Sequence, residues 1–230
     1  MRPPGLVIFD CDGVLVDTET LANRKLSEWL TQAGFPVTYE ECRGRFCGRS
    51  MRSVQEEIEA AGVDLGADFV DRWNAGLPDL FANGVEAVPH VEAFIRALGA
   101  AGIPFCVASS ARLSKMHITL GATGLLPHFE GAMFSSTMVA RGKPFPDLFL
   151  HAAATMGFSA ENCIVLEDSV AGTAAGIAAG MRVYAYCGDP LSDREGLARA
   201  GGILFDDMRR VSGMIGLDQP TGFAAPGASG

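Results

Sequence analysis

Residues 6–19 read LVIFDCDGVLVDTE, and this stretch decides the fold. Residues 6–9 are apolar at every position, and the run ends at Asp10. An uninterrupted apolar run is typical of a strand that is buried on both faces of a parallel sheet. Asp12 lies two positions after Asp10, so both side chains point the same way if the strand continues. Gly13 then permits a sharp turn. The stretch predicts a buried strand that carries two carboxylates at its carboxyl end.

Further apolar runs alternate with helical stretches along the chain. We predict strands at 104–108, 163–166, 181–186 and 203–205, and helices at 91–101, 112–120, 147–156 and 170–179. This alternation predicts an α/β fold in which helices cover a parallel sheet. Residues 18–88 contain no strand-like run but have helical stretches at 20–32, 52–61 and 68–81. We therefore predict a core of residues 1–17 and 89–215, an all-helical insert at 18–88, and a loose tail at 216–230.

The composition limits the partners of the protein. The 230 residues include 18 basic and 27 acidic side chains, which gives a formal charge of −9. This balance argues against binding to nucleic acid or an anionic membrane surface, because both need lysine and arginine. No apolar run reaches the ~20 residues of a membrane helix, and the N-terminus does not resemble a signal peptide. We expect a cytoplasmic protein, a monomer or small homo-oligomer, that acts on a small molecule.

The six cysteines form no CxxC pair, so their spacing favours neither a zinc site nor a disulfide framework.

Polar side chains follow three of the predicted strands. Asp10 and Asp12 follow the first, Ser109 ends the second, and Glu167 and Asp168 follow the third. Ligands of open α/β sheets bind at the carboxyl ends of the strands, so we expect these side chains to share one site. Crowded carboxylates repel one another, so either a cation lies among them or some of them stay protonated. Oxygen ligands around an open site suit Mg²⁺.

A reaction can be written for these residues. Asp10 attacks phosphorus and forms an aspartyl phosphate, while Asp12 protonates the leaving oxygen and later deprotonates water. Lys143, which lies between Gly142 and Pro144, and Ser109, whose role Ser110 could share, would hold the phosphoryl charge together with Mg²⁺.

Four motifs carry a resemblance to a known family. They are residues 10–19 (DCDGVLVDTE), Ser109 at the end of an apolar strand, residues 143–147 (KPFPD) and residues 167–172 (EDSVAG). In this order they resemble the motifs of the haloacid dehalogenase-like hydrolases, most of all the phosphatase and β-phosphoglucomutase branch. Residues 165–190 and 141–147 are especially similar to bacterial 6-phosphogluconate phosphatases.

The resemblance implies a Rossmann-like core with a helical cap. It also implies that Asp10 is the nucleophile and Asp12 the general acid and base. The Mg²⁺ ligands would be Asp10, the backbone carbonyl of Asp12 and Asp168, with Glu167 touching metal-bound water. The implied activity is that of a Mg²⁺-dependent phosphatase of sugar or sugar-acid phosphates such as 6-phosphogluconate.

Departures from the family patterns narrow the alternatives. No histidine lies in residues 18–88, where the phosphoglucomutases carry one, so a phosphotransferase of that kind is the second choice. Haloacid dehalogenases lack the second catalytic aspartate, so Asp12 argues against dehalogenation. A third alternative is a phosphorylatable regulatory module, which would have no cap of this size.

The insert carries an unusual group of basic residues. Residues 43–52 hold four arginines and no acid. On a continuous helix Arg45, Arg49 and Arg52 would share one face. Related caps often carry a Lys-Gly pair in this region, where this chain has Cys47 and Gly48. We expect Gly48 and one or two of these arginines to contact a second anionic group of the substrate.

Overall fold

The computed structural model describes residues 3–46, 49 and 51–217. Strands β1–β8 span Leu6–Phe9, Val16–Asp17, Glu86–Ala87, Phe105–Ser109, Met133–Ser135, Cys163–Glu167, Arg182–Tyr186 and Ile203–Phe205. Helices α1–α10 span Thr18–Gln32, Tyr39–Phe46, Met51–Ala60, Phe69–Gly84, Val91–Ala100, Leu113–Ala122, Asp147–Thr155, Val170–Ala178, Arg194–Arg199 and Val211–Met214. No helix in these ranges is long and apolar enough to cross a membrane. The expected loose tail lies outside the described residues, apart from Gly216 and Leu217.

The main sheet has β1 near its centre. Within the described residues six strands form it, in the order β5-β4-β1-β6-β7-β8, and every pairing is parallel. Ile8 of β1 lies opposite Cys106 of β4 on one side and opposite Val165 of β6 on the other. The predicted fold class is confirmed. The carboxyl ends of β4, β1 and β6 therefore meet at one edge of the sheet.

The period of two along β1 distributes its side chains between two hydrophobic cores. Val7 and Phe9 pack in the core that contains buried residues of α5 and α6, whereas Leu6 and Ile8 pack in the core of α7 and α8. All four side chains are fully buried. Such burial explains why β1 is apolar at every position. It also anchors the backbone that presents Asp10.

The insert is built from helices α1–α4, which share a hydrophobic core of their own. That core consists of Leu26, Leu30, Cys42, Phe46, Val54, Ile58, Leu65, Phe69 and Trp73. A separate core supports the division into residues 1–17 and 89–215 on one side and 18–88 on the other, which stays a prediction.

The expectation that residues 18–88 contain no strand was wrong at their end. Val16 and Asp17 of β2 pair in antiparallel register with Ala87 and Glu86 of β3. Strands of two residues carry no periodicity that a sequence pattern reveals. The two chain crossings between core and insert thus form one short ribbon.

The small residues of α8 allow this helix to approach the sheet closely. A Cβ at Gly176 would lie 2.5 Å from Val183 Cγ2 and 3.5 Å from Val165 Cγ2. Val165 and Val183 are buried strand residues that cannot move freely. The Ala- and Gly-rich run therefore serves helix–sheet packing.

We predict that Gly176→Ala lowers the free energy of unfolding by about 1–3 kcal/mol, because the added methyl group overpacks this contact. Urea denaturation measures the effect. Gly76→Ala in α4 is the matched control, since its Cβ would meet nothing within 4 Å. The control should gain up to about 1 kcal/mol from helix propensity. Equal behaviour of the two variants would contradict the packing argument.

Candidate active site

Four predicted site residues meet at the carboxyl edge of the sheet. Asp10 directly follows β1, and its backbone N–H donates to the carbonyl of Leu166 in β6 at 2.9 Å. Ser109 is the last residue of β4, and Glu167 is the last residue of β6. Lys143 reaches the same place from the loop that precedes α7. The edge combines carboxylates, a hydroxyl group and a buried ammonium group.

Lys143 is the centre of a buried charge cluster. Its Nζ donates to Asp10 Oδ1 and, at 2.6 Å, to Glu167 Oε1. The three side chains are between 1 and 9% exposed. Burial opposes the ammonium charge, but the charges of Asp10 and Glu167 outweigh it and raise the pKa of Lys143. Lys143 therefore carries a positive charge at neutral pH.

Both carboxylate oxygens of Glu167 accept hydrogen bonds from protein groups. Oε1 accepts from Lys143, while Oε2 accepts from the backbone N–H groups of Asp168 (2.8 Å) and Ser169 (2.7 Å) and from the Ser169 hydroxyl (2.8 Å). A Cβ at Gly172 would lie 1.7 Å from Glu167 Oε1, so only glycine leaves room for this carboxylate. In this arrangement Glu167 positions Lys143 and the turn after β6.

The pKa values of Asp10 and Asp168 are both raised in this cluster. Burial raises the pKa of Asp10, and the negative charges of Glu167 and Asp12 raise it further. The positive charge of Lys143 acts in the opposite direction but does not cancel the rise. Burial also raises the pKa of Asp168, with added contributions from the charges of Glu167 and Asp10. Lys143 alone does not balance these acids. The cluster is therefore short of positive charge.

The donor atoms fit a hard divalent cation. A Cβ at Gly13 would lie 1.9 Å from Asp168 Oδ2, so this carboxylate lies directly against the turn that carries Asp12. No three His, Cys, Asp or Glu side chains of the described residues are grouped as metal ligands. Mg²⁺ does not require such a group, since one or two carboxylates, waters and a substrate phosphate suffice. The carboxylates of Asp10 and Asp168 meet that requirement.

Asp12 has a different environment from Asp10. Its side chain is 28% exposed. Oδ1 accepts hydrogen bonds from Thr18 Oγ1 at 2.8 Å and from Lys115 Nζ at 2.9 Å. Sequence reasoning assigned no role to Lys115, although it is one of only three lysines in the chain and follows Ser109 by six residues.

Ser109 and Ser110 differ in exposure. Ser109 is 1% exposed, and its Oγ accepts from the backbone N–H of Ala111 at 3.1 Å. Ser110 is exposed, and its carbonyl accepts from Ser136 Oγ at 2.8 Å. Ser135 Oγ donates to the carbonyl of Ala111 at 2.8 Å. Residues of β5 and the turn after it, which the sequence prediction missed, thus fix the loop at the end of β4.

The predicted arginine face was wrong. Helix α2 ends at Phe46 and α3 begins at Met51, so Arg45, Arg49 and Arg52 do not share one helix. Arg45 and Arg49 both bind Glu57, at 2.6 and 2.5 Å. Arg52 is an exposed residue of α3. Gly48 lies outside the described residues.

Arg43 connects the insert to the core. It is buried, donates to Thr20 Oγ1 (2.8 Å) and Tyr39 Oη (2.7 Å), and forms an ion pair with Asp189 in the loop after β7.

A cleft of about 330 Å³ lies between the insert and the core. Its walls are Thr18, Glu19, Ala22, Asn23, Leu26, Phe46, Arg49, Met51, Trp73, Leu77, Phe81 and Lys115. Because Thr18 and Lys115 both donate to Asp12, the cleft adjoins that carboxylate. A larger cavity of about 490 Å³ lies at the opposite edge of the sheet, around Gly5 and Cys163, and contains none of the predicted site residues.

The family model of the haloacid dehalogenase-like hydrolases matches residues 4–180, which include every residue of the charge cluster. The chain belongs to this family. The resemblance seen in the four motifs is thereby confirmed.

Two relatives from Escherichia coli are phosphatases. The 6-phosphogluconate phosphatase is 36% identical over 186 residues, covering 80% of this chain and 83% of the relative. Hexitol phosphatase A is 30% identical over 187 residues, covering 80% of this chain and 83% of the relative. A hydrolase of the family from Deinococcus radiodurans, solved with phosphate and sodium, superposes with a TM-score of 0.85 at 29% identity and covers 96% of this chain and 100% of its own. The predicted enzyme class, a phosphatase of this hydrolase family, is confirmed.

We predict that Lys143→Met lowers the free energy of unfolding by about 3–5 kcal/mol, because it leaves buried carboxylates without their cation. Urea denaturation in EDTA provides the measurement. Lys25→Met is the matched control, since Lys25 is 39% exposed and binds Glu28 at the surface. That variant should stay within about 0.5 kcal/mol of the wild type. A Lys143 variant as stable as the control would show that the cluster does not depend on this ammonium group.

Proposed function

We propose that the protein is a Mg²⁺-dependent phosphatase that hydrolyses small sugar or sugar-acid phosphates through an aspartyl phosphate on Asp10. The observation that carries the proposal is the pairing of two unequal aspartates. Asp10 is buried against Lys143, whereas Asp12 is half-buried beside the cleft. Such unequal environments suit a nucleophile and a general acid and base.

The first step transfers the phosphoryl group to the protein. Lys143 engages Oδ1 of Asp10 and holds the carboxylate in place for attack on phosphorus. A bond forms between an Asp10 oxygen and phosphorus while the bond from phosphorus to the leaving oxygen breaks. Asp12 donates a proton to the leaving oxygen, and the alcohol departs.

The second step hydrolyses the aspartyl phosphate and returns a proton to Asp12. Asp12, now a carboxylate, accepts a proton from a water molecule that attacks the aspartyl phosphate, which regenerates Asp10 and releases inorganic phosphate. Thr18 and Lys115 both hold Oδ1 of Asp12, which leaves Oδ2 for the proton transfers. Lys143 and the buried hydroxyl of Ser109 supply charge and a hydrogen bond for the transferring phosphoryl oxygens.

The carboxylates of Asp10 and Asp168, together with the backbone carbonyl of Asp12, would hold Mg²⁺. When bound, it would neutralise phosphate charge that Lys143 alone does not balance.

The size and position of the cleft support a small phosphorylated metabolite as substrate. Its volume lies near the lower end of the roughly 300–1,000 Å³ that is usual for small-molecule sites. Most of its wall comes from the insert, and the ribbon of β2 and β3 is the place where the insert would hinge. The relative that acts on 6-phosphogluconate supports a sugar acid as the alcohol part.

We predict that the wild-type protein releases phosphate from at least one compound of a sugar-phosphate and sugar-acid-phosphate panel when Mg²⁺ is present. Asp10→Asn should reduce the release by at least about 1,000-fold, because it removes the nucleophile. Asp12→Asn should reduce it by about 100- to 10,000-fold, because the amide transfers no proton. Asp79→Asn, an exposed position on α4, is the control and should not change the rate.

Full activity of Asp10→Asn would overturn the aspartyl-phosphate mechanism. Isomerised sugar phosphate without released phosphate would favour the phosphotransferase alternative. A long-lived phosphoprotein without turnover would favour a regulatory module.

We predict that Mg²⁺ stabilises the protein without any substrate. At a Mg²⁺ concentration ten times its Kd, mass action contributes about 1.4 kcal/mol, which corresponds to a rise of about 3–5 °C in Tm. Differential scanning calorimetry with Mg²⁺ and with EDTA measures this rise. Asp168→Asn should abolish it, whereas Asp79→Asn should retain it. An equal rise in the Asp168 variant would exclude Asp168 as a ligand.

A further inference from the structure

Lys115 stands where the cleft meets the reacting groups. It belongs to α6, a helix of the core, and its Nζ lies 2.9 Å from Asp12 Oδ1. The side chain is 35% exposed and forms part of the cleft wall. On one side its Nζ faces the ring of Phe81, 5.1 Å from the ring centroid. The ammonium group is therefore fixed between an acid, an aromatic face and the cleft.

The position of Asp12 determines which part of the substrate lies near the Lys115 ammonium group. A general acid must lie within about 2.6–3.2 Å of the oxygen that it protonates. The atoms attached to that leaving oxygen must then begin beside Asp12 and continue into the adjoining cleft. Lys115 lies one hydrogen bond from Asp12, so the alcohol part of the substrate passes within reach of its Nζ. An ammonium group has three donors, and Asp12 occupies one of them.

The other charged groups of the described cleft wall are engaged elsewhere. Arg49 binds Glu57 and donates to Ser53 Oγ at 2.6 Å. Glu19 accepts from Asn23 Nδ2 at 3.2 Å. Arg49 already has Glu57 as an ion-pair partner, which it shares with Arg45, so an anionic substrate group must compete with a bound carboxylate there. The partner of Lys115 is instead Asp12, the proposed general acid, which must itself contact the leaving oxygen of the substrate.

We propose that Lys115 determines specificity by binding a carboxylate on the alcohol part of the substrate. This inference rests on the proposed function, and it assigns to a core helix the role that the sequence suggested for the arginines of the insert. The Phe81 ring covers one side of the ammonium group, which strengthens its attraction for a carboxylate by excluding water there. A hydroxyl group in the same place gains only a weaker, single-charge hydrogen bond.

A pair of substrates that differ only in this group tests the proposal. 6-Phosphogluconate and the matching hexitol 6-phosphate share the phosphate and the carbon chain, and a hydroxymethyl group replaces the carboxylate in the second. The specificity ratio is kcat/KM for the sugar acid divided by kcat/KM for the hexitol. In Lys115→Gln we expect this ratio to fall by about 10-fold or more, chiefly through KM for the sugar acid. Lys115→Arg should retain most of the ratio.

The control is Lys25→Gln, which removes an exposed lysine of the insert and should leave the ratio unchanged. A fall of kcat by one common factor on both substrates would overturn the proposal, because it would show that Lys115 only positions Asp12. An unchanged ratio in an active Lys115→Gln enzyme would overturn it as well.

Binding distinguishes this failure from a failure of the proposed function. Titration calorimetry without Mg²⁺ gives Kd for both compounds in the wild type and in Lys115→Gln, independently of turnover. A selective loss of affinity for the sugar acid supports the role of Lys115 even if no phosphate is released, in which case only the proposed activity fails. Equal affinities of both proteins for both compounds would refute it.

Discussion

The ammonium group of Lys143 is the interaction on which the site depends. Taking a charged group out of water costs several kcal/mol, and here Lys143, Asp10 and Glu167 are all buried. The arrangement persists because one cation serves two carboxylates, while backbone N–H groups satisfy the second oxygen of Glu167. It joins β1, β6 and the loop before α7, so the geometry of the nucleophile follows from the packing of the core.

Two glycines permit this concentration of acids. Gly13 and Gly172 each leave free the volume in which a Cβ would overlap a carboxylate, that of Asp168 in one case and that of Glu167 in the other. Gly13 also has a φ of +80°, which disfavours other residues at that turn. The glycines of the two motifs are thus explained by the space that the acids need, in addition to turn geometry.

Buried strands and strand-end chemistry were predictable from the sequence, because β1 is apolar throughout and is followed by Asp10, while β6 is apolar up to its last residue, Glu167. Strand β5, with three residues, and the ribbon of β2 and β3 were not, since such short segments form through tertiary pairing. The arginine face failed because α2 ends at Phe46. Lys115 meets Asp12 across 103 positions, a contact that no local pattern indicates.

The contrast between the arginines and Lys115 concerns which part of the molecule recognises the substrate. Arg45 and Arg49 belong to the insert and share Glu57 as an ion-pair partner within it, so they contribute to the insert's own structure. Lys115 and Asp12 instead lie outside the insert, on α6 and directly after β1, although Thr18 and Phe81 of the insert contact them. If the ammonium group binds the substrate's anion, one hydrogen bond between Lys115 and Asp12 couples recognition of the substrate to proton transfer. The insert, which supplies most of the cleft wall, would then shape the cleft and exclude water.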